Sequence, residues 1–343
     1  YHRVVDYMFS DEAVYYMMAQ SVAYDKDLEY TWKYLSRVYR DGWHAGPQGV
    51  FLTKTENGEI FYSKSFAYAI FLAPFIAIFD FNGFLILNML LLLGMIWMGW
   101  AYLRQFNPST LSLLVSLTFF LLSASFVYTF WITPETFNMF CITLGLFLWL
   151  FKWKKSLLYL APIPIGIACA SKLPNALFIL PIVADLLLEG YTLIFRRRRT
   201  SSFGSSRVPF HWRSRPLWQW FVTLVLVCAI FWVTVGVFYG LQYAFTGHLN
   251  PYAGDRKTFY TTFPFIALQD VWDRGVRLSN EDYMERSFFF HPKTLLYNVY
   301  YYVFGRFTGI LPYFFCSLLA VYYFVRRIFF TPSPFSASAS PLK

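Results

Sequence analysis

Apolar residues in this chain come in long runs divided by short polar stretches. The run LILNMLLLLGMIWMGW (85–100) shows no alternation of apolar and polar positions, which argues against strands of a membrane β-barrel. In hydrocarbon every backbone amide needs an internal partner, so such runs predict helices. Six of them read as membrane crossings: 84–103, 110–131, 135–151, 157–171, 174–195 and 218–242, with a seventh at 308–325. A crossing takes about 20 apolar residues. The fourth run is short and holds Pro162 and Pro164, so a kinked or partial crossing is expected there. The fifth holds Asp185 and Glu189 near the end that approaches an arginine run, where they reach the interface. The fold class expected is an all-α polytopic membrane protein of about seven membrane helices, with juxtamembrane helices and a small hairpin in the first outer loop.

Segment 66–79, FAYAIFLAPFIAIF, is short and has a central proline, the length of an interfacial element rather than a crossing. Its placement decides the topology. The basic loops at Arg104, at Lys152, Lys154 and Lys155, at 196–215 and at 326–327 share one side, which the positive-inside rule makes the cytoplasm. Residues 1–59 hold nine of the nineteen acidic residues and 255–285 hold six more. Those two acidic loops meet on the outer side only if 66–79 does not cross. The organisation expected is then an outer first loop (1–83) and a helical region (84–242) with a basic cytoplasmic loop (196–217). A second outer loop (243–307), a last membrane helix (308–327) and a disordered tail (328–343) follow. Within the first loop, SDEAVYYMMAQSVAY reads as an amphipathic helix with Val14, Met17, Met18 and Val22 on its apolar side and Ser10 as N-cap. GVFLTKTENGEIFYSKS reads as a hairpin, with Asn57-Gly58 supplying positive φ angles.

Composition supports a bilayer as solvent: 57% of the 343 residues are hydrophobic and 14% charged, where a soluble domain carries about a quarter charged. The net charge of +10 sits largely in the 196–215 loop, which suits anionic headgroups rather than nucleic acid. All four cysteines lie inside apolar runs and frame no disulfide or metal spacing. The five histidines are scattered, without HExxH or similar spacing, so no metal site is called, though a divalent ion is not excluded. Walker A and GxGxxG patterns are absent from the sequence.

Several ionisable residues on the outer side have two readings. Asp11-Glu12 either complements the positive end of a helix or provides a general base at the membrane surface. Glu135, after Pro134, reads as an N-terminal charge for the following helix. Lys172, Lys64 and Arg306 are either anchors that snorkel outward or an anion site. Arg256 and Lys257 add charge to the last outer loop. Taken together, two acids and several cations on one face match the needs of a lipid-phosphate substrate: apolar grooves, cations for phosphate and a base for the acceptor.

The text SDEAVYYMMAQSVAYDKDLEY, followed by YSKSFAYAIFLAPFIAIF and a membrane helix, resembles the GT-C superfamily of integral-membrane glycosyltransferases. It is similar in particular to relatives of protein O-mannosyltransferases and aminoarabinose transferases. In that family an acidic pair follows a first membrane helix and opens a long extracytoplasmic loop. The resemblance implies a fragment lacking that first helix. It implies transfer of a sugar from a polyprenyl-phosphate donor to an acceptor on the outer face, with inversion. Asp11 would be the general base, Glu12 would shape the site, and Glu135 would line it. Lys64, Lys172, Arg256 and Arg306 are the candidates to stabilise the phosphate. No cofactor is implied, and the partners are the lipid-linked donor, membrane lipids and an acceptor of unknown class. The location expected is a multi-pass bacterial inner membrane with the site on the outer face. The competing reading is a transporter or flippase of lipid-linked or small solutes. A transporter calls for paired polar breaks at mid-membrane, and here the polar residues gather at one face.

Overall fold

The computed structural model describes residues 8–151, 156–196, 216–252, 254–265, 271–277, 292–305 and 322. They belong to two units, Tyr1–Leu278 and Ser279–Lys343. In the first unit, strand β1 (Met8–Phe9) pairs in parallel with β2 (Pro47–Gln48). Ser10 then takes φ 55° and donates its backbone N–H to the Gln48 carbonyl at 2.7 Å, with no side-chain cap on the helix that follows. The N-cap expected at Ser10 is therefore replaced by a backbone tether. Helix α1 (Asp11–Gln20) runs into a π-turn at Ser21–Asp25. Its amphipathic reading is also overturned, because every side chain from Ala13 to Gln20 is buried. Tyr15, Tyr16 and Gln20 fill the sides that an amphipathic helix would leave to solvent. Helices α2 (Trp32–Arg40) and α3 (Ala67–Phe79) and a sheet cover α1.

That sheet begins as the expected hairpin of β3 (Val50–Lys54) and β4 (Ile60–Tyr62). In its loop Gly58 takes φ 87°, and Asn57 is not among the residues at positive φ. The hairpin is only half of the sheet. Strand β5 (Asp255–Phe259), from the far side of the helical region, pairs antiparallel with β3 from Val50↔Phe259 to Lys54↔Asp255. Strand β6 (Val276–Arg277) adds to β5, giving the order β4-β3-β5-β6.

Helix α3 carries Pro74 and ends where Asp80 takes φ 47°. A 3₁₀ turn at Asp80–Asn82 leads to α4 (Gly83–Leu103). A Cβ on Gly83 would sit 2.4 Å from the carbonyl carbon and oxygen of Phe75, so α4 starts pressed against α3 as only glycine allows. Residues 67–79 thus form a separate helix packed on α1, as the short proline-bearing run suggested. In α4, buried Asn88 donates to the Thr129 and Trp131 carbonyls at 3.2 and 3.0 Å and accepts from Tyr68. This partners backbone groups that the interruption of helix between α6 and α7 leaves free.

The remaining apolar runs are helical but less continuous than seven crossings require. Run 110–131 splits into α5 (Ser109–Leu121) and α6 (Ala124–Tyr128). Helix α7 (Glu135–Leu150) has 16 residues. Run 157–171 divides into α8 (Leu157–Leu160) and α9 (Pro162–Ser171), because Pro162 and Pro164 lack the N–H that would continue the ladder. A 3₁₀ stretch, Leu173–Ile179, opens α10 (Leu180–Arg196), and α11 covers Leu217–Thr246. Among the described residues three stretches are long and apolar enough to cross a membrane: Ala67–Leu103 (which includes the 3₁₀ turn), Leu173–Tyr191 and Leu217–Thr246. The seventh predicted crossing, apart from Tyr322, and the tail lie outside the described residues. Close helix contacts rest on small residues: Gly145 of α7 faces Ile165, and Gly166 of α9 faces Thr234 of α11. The second unit contributes α12 (Pro292–Phe304).

Candidate functional site

Five segments bring the predicted residues to one end of the first unit. Asp11 stands in the first turn of α1, where the helix dipole favours a carboxylate. Lys64 follows β4, and Ser63 N–H extends the ladder by donating to the Phe51 carbonyl at 3.0 Å. The Lys64 ammonium lies 2.8 Å from Asp11 Oδ1, with the two side chains 15% and 34% exposed. This is a sheltered pair open on its carboxylate side.

Arg256 lies in β5 opposite Thr53. Its guanidinium sits over the rings of Tyr252 and Phe51, 4.9 and 5.2 Å from their centroids. Phe51 also carries the Lys64 ammonium, 4.7 Å from its centroid. Arg256 Nη2 makes a long 3.4 Å contact to the Ser63 carbonyl, and its buried Nε has no hydrogen-bond partner among the described residues. Burial pushes the guanidinium below its ordinary value, partly offset by Tyr252 and Asp11. Lys257, its neighbour in sequence, points to the other face of the sheet. There it donates to the Trp272 carbonyl and Asp273 at 3.2 and 3.1 Å and locks β5 to the following loop.

A second ion pair joins Lys172, at the hand-over from α9 to the 3₁₀ stretch, to Glu135 at the start of α7. Two tyrosines connect the pairs. Burial raises the Tyr252 hydroxyl, and the charges of Arg256 and Lys172 pull it back while Asp11 pushes it up. Tyr15 is raised by burial first, then by Tyr252, Asp11 and Glu135. The fields of both carboxylates therefore reach one phenol. With Lys64, Lys172 and Arg256 against Asp11 and Glu135, cations outnumber carboxylates, and the cluster favours an anion.

Next to these residues lies a small surface dent of about 10 Å³, lined by Ser65, Phe66, Ala170, Phe238, Gln242 and Pro251 among others. Ser65, Ala170 and Pro251 lie within two residues of Lys64, Lys172 and Tyr252, which places the dent beside the charged cluster. Ser65 Oγ donates to the Ala170 carbonyl at 2.9 Å and ties the start of α3 to the end of α9 across its floor.

Of the predicted residues, Asp11, Lys64, Glu135, Lys172 and Arg256 come together. Glu12 does not join them: burial alone raises its carboxyl, with no charged neighbour contributing. Consecutive residues on a helix project about 100° apart, so Glu12 leaves α1 in a different direction from Asp11. Arg306 lies outside the described residues. Among the described residues no three His, Cys, Asp or Glu side chains gather as a metal site would require. Sequence reasoning missed Phe51, Tyr15 and Tyr252. The signal for Tyr252 was present in NPYAGDRKTF, an aromatic four positions before an arginine. Phe51 had none, because its role depends on β3–β5 pairing. No family model, curated protein or solved structure matches this chain.

Proposed function

We propose that this chain is the core of a GT-C type glycosyltransferase, acting at the extracytoplasmic face of a membrane on a polyprenyl-phosphate sugar. The observation that carries this reading is the meeting of Asp11–Lys64, Glu135–Lys172 and Arg256 at one end of the apolar helices. In the proposed reaction the acceptor hydroxyl loses its proton to Asp11 and attacks the anomeric carbon with inversion. The polyprenyl phosphate leaves with its negative charge held by Lys64, Lys172 and Arg256. Glu135 keeps Lys172 oriented and neutralises it between turnovers.

The sheet supports the sidedness this reaction needs. β3 and β5 are hydrogen-bonded, so residues 50–62 and 255–259 share one side of any membrane. The chain between them must then cross an even number of times. Three crossings are odd, so either one of those stretches does not cross or a further apolar stretch does. Six crossings by α4, α5–α6, α7, α8–α9, α10 and α11, with α3 on the surface, satisfy the count. They put Glu135, Lys172 and the C-terminal end of α11 on the sheet's side. The proposed location is a multi-pass protein of a bacterial inner membrane.

The test is transfer from a panel of polyprenyl-phosphate sugars by wild type and Asp11→Asn. Loss of a positioned base lowers rate by about 10²–10⁴-fold. Equal rates would remove Asp11 from the mechanism, and no transfer from any donor would sink the reading.

A further inference from the structure

We propose that Phe51 is a positioning residue of this site: its ring face holds Lys64 and Arg256 side by side so that both present N–H groups to one phosphoryl group. The inference rests on the reading of these two cations as phosphate holders. Two like charges do not gather in a half-buried site without compensation. Lys64 has Asp11 at 2.8 Å. Arg256 has no carboxylate within ion-pair distance among the described residues; its neighbours are the rings of Phe51 and Tyr252. An aromatic face is electronegative and attracts a cation without occupying the hydrogen-bonding edge of a guanidinium. A carboxylate in the same place would occupy that edge. The ring thus provides partial compensation and leaves the N–H edge for a ligand.

The sheet explains why Phe51 meets both cations. Phe51 pairs with Thr258 and Thr53 pairs with Arg256, so Phe51 and Arg256 lie diagonally on one face, within reach of long side chains. Ser63, whose N–H bonds the Phe51 carbonyl, delivers Lys64 to the same ring. A leucine at 51 would fill similar space without the electronegative face. The distinction between packing and charge positioning is therefore experimentally accessible.

The experiment uses the full chain in detergent and measures binding of farnesyl phosphate, inorganic phosphate and farnesol by calorimetry. The variants are F51L, F51Y, R256Q and K64M. F51L should weaken farnesyl phosphate and inorganic phosphate about fivefold while farnesol binding stays the same. F51Y, which keeps the ring face, should bind like wild type. If F51L does not fold, F51M takes its place in the same comparison. Phosphate-only binding with no gain from the prenyl chain would place the ligand in the free-anion class and leave Phe51's role intact. Wild-type affinity in F51L, or equal weakening in F51Y and F51L, overturns the proposal. If R256Q and K64M weaken phosphate binding and F51L does not, only Phe51's role falls. If none of the three variants weakens it, or if wild type shows no phosphate-dependent binding, the anion reading falls with it.

Discussion

The sheet end of the first unit and its long helices are built on opposite principles. Around α1, the side chains are packed inward: Tyr15, Tyr16, Tyr30, Tyr62 and Tyr68 are almost wholly buried, together with Leu52 and Phe259. On α11 only 22% of the most apolar window is buried inside the protein, and Trp232 and Val233 are 62% and 64% exposed. In water such a surface would far exceed the apolar patch a monomer tolerates, so the helices take lipid as their outer layer. The sheet end takes its order from contacts between distant parts of the chain. The difference teaches where chemistry can sit: the charged cluster lies at the end of the helices, where protein packing rather than lipid surrounds it.

Sidedness offers the sharpest way to break this comparison. Single cysteines are placed at exposed positions as E56C in the β3–β4 loop, Y260C after β5 and Q105C after α4, on a background in which all four native cysteines are replaced. A membrane-impermeant maleimide on right-side-out vesicles should label E56C and Y260C and reach Q105C only after permeabilisation. This is an all-or-none contrast. Labelling of Q105C from outside would sink the proposed crossings, and opposite behaviour of E56C and Y260C would contradict the sheet itself.

Packing gives the next largest effect. Leu52 is fully buried in β3, and Leu52→Ala removes core contacts and leaves a cavity, which costs about 2–5 kcal/mol. Val233→Ala at an outward position of α11 should stay within about 0.5 kcal/mol. Thermal unfolding in one detergent reads both. Equal losses would mean that α11 is covered by protein at that face rather than by lipid.

How far the sequence could be read followed the same division. Apolar runs announced α4, α7 and α11 with nearly the observed bounds, because continuous hydrophobicity is a local signal. Pro162 and Pro164 gave notice of the break between α8 and α9. The burial of α1 was misread because Tyr15, Tyr16 and Gln20 count as surface residues until a second layer covers them. The β3–β5 register was illegible: DRKTF is short and charged, and its partner strand is distant in sequence. Five of the site residues could be named from charge, sidedness and the family resemblance. Their pairing as Asp11–Lys64 and Glu135–Lys172 depends on that tertiary assembly. Phe51 and Tyr252 show the limit most clearly, since an aromatic in an aromatic-rich chain is noticed only once a cation is found above it.

The smallest effect tests whether polar contacts also order the sheet end. Asp25, at the end of the π-turn after α1, accepts hydrogen bonds from Arg37 and Lys33 of α2. Burial pushes its carboxyl up, but the two cations more than offset this and hold it below the ordinary value. A carboxyl with a depressed value contributes stability that is present above its unfolded value of about 3.9 and is lost as pH falls through the folded value. Lys33 is 59% exposed, so solvent screening limits the effect to about 1 kcal/mol or less. Asp25→Asn should therefore lower the unfolding temperature slightly at pH 7, and the gap to wild type should close as pH drops from 4 towards 2. Because α11 carries no Asp, Glu or His, Val233→Ala should show the same small difference across the acid range. A gap for Asp25→Asn that stays constant with pH would mean that the carboxylate contributes by shape rather than charge, and that α2 is held on α1 by packing alone.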